Sequence, residues 1–164
     1  MCAALSLVVC SSAATPPEPI VTNVSFDTGR TVEVLTSRPL RGSQPGVYTA
    51  VIVIHGLGRK AMINFRRVAK AMRMAGVEGL VLAPWFKNRS DSPGTGEHFW
   101  KKSGWVQGNL SRDSRHSSAR ISSFTVVDRF YAELTMPGRF PGLRRIVLAG
   151  HSAGAPSPSR PTAR

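Results

Sequence analysis

Cysteine, acidic residues and long apolar runs are what this chain has least of, and each shortage excludes a class of protein. The only two cysteines, Cys2 and Cys10, both fall within the first ten residues. Beyond that point neither a disulfide framework nor a thiol nucleophile is available. Aspartate and glutamate total 9, against 22 lysines and arginines, so the net charge is +13 over 164 residues. With so few carboxylates and only four histidines, no His/Cys/carboxylate cluster has the spacing of a metal site, and no cofactor is expected. No apolar run approaches the ~20 residues that a membrane-spanning helix requires, so no membrane span is expected.

The cationic excess raises the question of nucleic acid or an acidic surface. The basic residues are dispersed, as in Arg66-Arg67, Arg112, Arg115, Arg120 and Arg144-Arg145, and lack interleaved aromatics. No specific nucleic-acid partner is therefore expected. A hydrophobic content of 41%, with three tryptophans, belongs to a globular protein, and the length suits one domain.

Residues 1–14 pair a short apolar segment with small residues, and Ser12-Ala13-Ala14 would serve as a signal-peptide cleavage site. The usual positively charged leader region is missing. A secreted or periplasmic protein and a cytoplasmic one with an N-terminal tail both remain open. Residues 15–19 form a proline-rich linker, and the domain is expected over 20–154. Val21 to Phe26 and Thr31 to Leu35 read as strands joined by the turn Asp27-Thr28-Gly29-Arg30. Tyr48 to Ile54 is a nearly unbroken apolar run, as in a strand buried on both faces, and it ends in His55-Gly56-Leu57-Gly58.

From Ile63, the residues Phe65, Val68, Ala69, Met72 and Ala75 recur at helical spacing, with Gly76 placed to cap. Gly79 to Ala83 is the next buried strand, so strand, helix and strand make a parallel crossover. Residues 85–118 form a long, turn-rich, lid-like excursion, whose Trp100 and Trp105 either bind something or anchor the loop. Ser122 or Ser123 then caps a helix with Phe124, Val127, Tyr131 and Leu134 on its buried face, stopped by Pro137-Gly138.

The last strand leads into Gly150-His151-Ser152-Ala153-Gly154, which fits a G-x-S-x-G turn between strand and helix. Such a turn holds its serine in a strained conformation, with the hydroxyl exposed and the next backbone N–H free. Ser152 is the candidate nucleophile and Ala153 N–H a candidate oxyanion donor. His55-Gly56 after one buried strand and Gly150-x-Ser152-x-Gly154 after another resemble the α/β-hydrolase superfamily. Gly104-Trp105-x-Gln107-Gly108, Ile121-Ser122-Ser123-Phe124 and Phe140-Pro141-x-Leu143-Arg144-Arg145 look like a group of little-characterised microbial α/β-hydrolases.

The resemblance implies the N-terminal part of an α/β-hydrolase fold, with about five strands of a mostly parallel sheet and flanking helices. It implies Ser152 as nucleophile, Ala153 and Leu57 N–H as oxyanion donors, Gly56 making room, and Gly150 and Gly154 as the glycines of the turn. The substrate would be a small-molecule carboxylic ester, cleaved through an acyl-enzyme. Nothing in the sequence bears on oligomeric state. His55 follows its strand too closely to be the general base, and His151 sits at the variable position, pointing away from the nucleophile. His98 and His116 read as loop surface.

In this superfamily the acid and histidine of the triad follow the serine, whereas residues 155–164 are a Pro/Ser/Arg stretch, expected to be disordered, with neither. The chain therefore reads as a hydrolase portion interrupted just after the turn and inactive as it stands. Pro156, Pro158 and Pro161 are expected to prevent the helix that normally follows Ser152. Two other readings stay open: a non-catalytic binding module, and a cationic surface-binding protein.

Overall fold

A computed structural model describes residues 18–113 and 117–155 of the chain. The leader, most of the proline-rich linker, His116 and the segment from Pro156 onward lie outside the described residues.

Strands β1 (Ile20–Ser25) and β2 (Thr31–Thr36) form an antiparallel hairpin. Its turn closes through Phe26 N–H to Arg30 O at 3.0 Å, with Gly29 at a φ of 71° that favours glycine. Strand β3 (Thr49–Ile54) pairs in parallel with β4 (Gly79–Pro84) on one side and with β5 (Arg145–Gly150) on the other. The five-stranded sheet runs β1-β2-β4-β3-β5, and β2 is antiparallel to both β1 and β4. The architecture is α/β, with a parallel core of β4, β3 and β5, consistent with an N-terminal α/β-hydrolase-like part.

Alternation along β3 explains why the run is apolar from Ala50 to Ile54. Ala50, Ile52 and Ile54 join one core cluster with Leu80, Leu82, Trp100 and Trp105, while Val53 faces the other with Val81, Ala83 and Phe65. Both faces are covered from Ala50 to Ile54, so a polar side chain at any of these positions would lose about 1.5–3 kcal/mol of burial. Helix α1 (Ala61–Met74) supplies the second cover. It ends as its glycine predicts: Gly76 lies at φ 63°, with its N–H on Arg73 O and Val77 N–H on Met72 O, a Schellman closure.

Helix α2 (Ser123–Thr135) starts where expected, with Ser122 Oγ accepting from Phe124 N–H at 3.0 Å. Its buried face differs from the periodicity reading. Ser123, Val126, Phe130 and Leu134 are buried, whereas Tyr131 is exposed and Phe124 and Val127 only half-buried. The helix is apolar on adjacent faces, and Ser123 Oγ, which donates to Trp105 O at 2.5 Å, fixes the rotation.

The excursion after β4 is stitched to the hairpin. Buried Arg30 donates to the carbonyls of Glu97, Arg112 and Ala119. Lys87 Nζ lies between Glu33 (2.7 Å) and Glu97 (2.9 Å), and Trp100 Nε1 donates to Asn109 O. Trp100 and Trp105 are each 1% exposed, so both anchor the segment to the core.

Candidate active site

Ile54 and Gly150 are paired in register, and His151 N–H still bonds Ile54 O at 3.0 Å. The loops that follow β3 and β5 therefore leave the sheet side by side. After β5 the chain turns at once into a short 3₁₀ turn, Ser152–Gly154, with Gly154 N–H on His151 O and Ala155 N–H on Ser152 O. Whether Pro156 ends a longer helix falls outside the described residues.

Ser152 adopts a φ of 56° and is exposed. A side-chain-bearing residue in the left-handed region costs about 1–3 kcal/mol, so its surroundings must enforce it. They do so by close approach. A Cβ on Gly150 would collide with the carbonyl of Gly154, and one on Gly154 would lie 2.6 Å from Ile54 O. A Cβ on Gly56 would lie 2.9 Å from His151 O and 3.4 Å from Ser152 Cβ, so the β3 loop can pass this close only as glycine. Among the described residues, neither Ala153 N–H nor Leu57 N–H has a hydrogen-bond acceptor.

His55 sets the β3 loop. Its Nε2 accepts from Phe86 N–H at 3.0 Å, which fixes the tautomer, so Nδ1–H donates to Gly56 O at 2.9 Å. Arg59 N–H donates to the same carbonyl at 2.9 Å. Because a trans peptide is planar, two donors on Gly56 O also fix the direction of the Leu57 N–H. The imidazole is fully buried against Trp105 and Phe86. Burial pushes its pKa down to about 4, so it stays neutral.

The two loops frame an open cleft of about 360 Å³ that reaches Gly56, Leu57, His151 and Ser152. Leu57 is 54% exposed there. Arg59, at φ 52°, bridges to the segment after β4 through Nε to Asp91 Oδ2 at 2.5 Å.

Of the remaining histidines, His98 falls in a different place from that expected. His98 is not loop surface: it is buried, bonded to Thr28 Oγ1 at 2.8 Å and Ser111 Oγ at 2.9 Å. Burial first, then the charge of Arg30, push its pKa down to about 4. His151, expected to point away from Ser152, is among the residues lining the same cleft, its Nδ1 3.1 Å from where a Gly56 Cβ would lie. Among the described residues, no histidine is hydrogen-bonded to the Ser152 hydroxyl, and no group of three His, Cys, Asp or Glu could hold a metal ion. Among the described residues, no helix is long and apolar enough to cross a membrane.

No protein-family model matches the sequence, and no curated protein matches it. Among solved structures, the chain is similar to poly(aspartic acid) hydrolase-1 from Sphingomonas sp. KT-1, with 19% identity and a TM-score of 0.50. The match covers 85% of this chain and 48% of that one, so the chain spans about half the length of its structural neighbour. At this identity the likeness is one of fold.

Sequence reading placed Ser152, Ala153, Gly56 and Leu57 together; Gly56, Leu57 and Ser152 line one cleft, and Ala153 follows Ser152 in the short turn. It missed Arg59, Lys60 and Arg67, which line the same cleft. The available signal was their position, directly after Gly58 and one helical face further on.

Proposed function

We propose that Ser152 is the nucleophile of a hydrolase acting on carboxylic esters or amides. Its Oγ attacks the carbonyl carbon, the leaving alcohol or amine departs, and water releases the acid from the acyl-enzyme. Ala153 N–H and Leu57 N–H receive the oxyanion, at about 3–4 kcal/mol of transition-state stabilisation for each donor. His55 holds the Leu57 donor in place from behind and does not titrate during the reaction.

The observation that carries this reading is the left-handed φ of 56° at an exposed serine enforced by three glycines. The neighbouring fold belongs to a hydrolase of poly(aspartic acid), an amide polymer, which supports including amides beside esters.

A serine without a base is a poor nucleophile, and among the described residues none is hydrogen-bonded to Ser152 Oγ. The 164-residue chain on its own is therefore expected to react slowly. The test is labelling with a fluorophosphonate probe, with and without added imidazole as an external base. Slow labelling that accelerates with imidazole and disappears in Ser152→Ala is the expected result. Folded wild-type protein that stays unlabelled with imidazole, or labelling that persists in Ser152→Ala, would overturn the assignment and favour a binding module.

A further inference from the structure

We propose that the Ser152 cleft selects anionic substrates, compounds carrying carboxylates near the scissile ester or amide, through Lys60 and Arg67. This deepens the nucleophile assignment and rests on it for the chemistry, but the binding it requires can be measured separately.

Three cations line the cleft, Arg59, Lys60 and Arg67, and no aspartate or glutamate does. Arg59 is engaged: its Nε is paired with Asp91, and a terminal nitrogen donates to Leu57 O at 3.1 Å. That guanidinium builds the loop, and the neighbouring carboxylate offsets its charge. Lys60 and Arg67 are exposed and have no acidic partner within ion-pair distance among the described residues. Their neighbour on the helix, Arg66, turns outward and pairs with Glu18 at 3.0 Å.

With 22 basic residues and nine acids, unpaired cations must occur elsewhere too. What distinguishes these two is where they stand. Lys60, Ile63, Asn64 and Arg67 follow one another at helical spacing, so all four share a single face, and that face lines the same cleft as Ser152. Seven residues of helix separate the two cations by about 10 Å along the axis, which suits a substrate with more than one carboxylate. The same face begins at an α1 N-terminus that has neither a side-chain cap nor an acid in its first turn, so nothing local neutralises it.

Leu57 and Ile63, both exposed, add aliphatic lining to the same cleft as the charges. His151 carries the one aromatic ring among its lining residues, so successive nucleic-acid bases have no run of stacking platforms there. An aliphatic chain bearing carboxylates fits better than a phosphodiester polymer.

The experiment is fluorescence anisotropy with a fluorescein-labelled oligo-aspartate on the full chain at about 0.1 M salt, where screening acts over roughly 10 Å. Oligo-asparagine of equal length serves as the neutral competitor and oligothymidylate as the nucleic-acid competitor. The double variant Lys60→Gln/Arg67→Gln is expected to weaken binding about tenfold, as two exposed ion pairs allow. The control Arg144→Gln/Arg145→Gln removes equal charge from an exposed stretch away from the cleft and is expected to change it less than about twofold.

Equal losses in the two doubles, no loss in either, or competition by oligo-asparagine or oligothymidylate as strong as by oligo-aspartate would overturn the proposal. Ser152→Ala is expected to bind like wild type. Specific binding without fluorophosphonate labelling would sink the hydrolase and keep the anion site; labelling without specific binding would do the reverse.

Discussion

The loops after β3 and β5 leave the sheet side by side and meet at Ser152, yet they are held by opposite means. The β3 loop is fixed by what its side chains do: His55 clamps Gly56 O and Phe86 N–H, and Arg59 ties the loop to Asp91. The β5 turn is fixed by side chains that are missing, because Gly150 and Gly154 let backbone touch backbone. A loop held by hydrogen bonds can relax when one is lost. A turn held by close packing of main chain has nowhere to go when an atom is added.

The largest effect should therefore come from one methyl group. Gly150→Ala places a Cβ against the carbonyl of Gly154, and is expected to destabilise the protein by about 3 kcal/mol or more. Gly58→Ala, in the β3 loop, meets only Lys60 Cγ at 3.9 Å and should cost less than about 0.5 kcal/mol. Urea midpoints of the two variants measure the contrast directly, and equal losses would break it.

The β3 loop has its own weak point, which is acid. The fold keeps His55 neutral, with a pKa of about 4 against an ordinary value of 6.5. An unfolded chain takes up the proton first, so the contribution is complete above about pH 6.5 and is lost as pH falls toward 4. For His55 alone the loss is about 3 kcal/mol. His98 is held down in the same way, so His55→Gln should shrink the acid sensitivity without abolishing it. Denaturation midpoints between pH 7 and about pH 4.5 check this; an unchanged slope in His55→Gln would mean that the clamp titrates normally.

What could be read in the residues was whatever a single element determines. Tyr48 to Ile54 marks a doubly buried strand by composition alone, and the strand at 49–54 follows. Gly76 predicts the helix end because only the left-handed region closes it. The rotation of α2 could not be read, since Phe124 and Tyr131 offer as apolar a face as Val126 and Phe130. The choice depends on Trp105, 18 residues earlier in the chain.

His98 was misplaced for a similar reason: its burial depends on Thr28 and Ser111, which meet it only once the excursion packs on the hairpin. The glycine turn around Ser152 was legible because Gly150 and Gly154 fall within one five-residue stretch. The charged lining of the cleft was not, because Lys60 and Arg67 share a cleft with Ser152 only when β5 is laid beside β3.

The smallest effect is the most diagnostic of the β5 turn. If the glycines force Ser152 into the left-handed region against its preference, a residue without a Cβ relieves that strain. Ser152→Gly is expected to raise stability by about 1 kcal/mol while abolishing probe labelling, whereas Ser152→Ala abolishes labelling with the strain kept. The difference in urea midpoint between these two variants isolates the backbone term, since both lack the hydroxyl. A glycine variant more stable than the alanine one means that the turn stores strain at the residue it exposes. A glycine variant no more stable than alanine means that the serine rests there without cost, and the conformation then ceases to argue for a nucleophile.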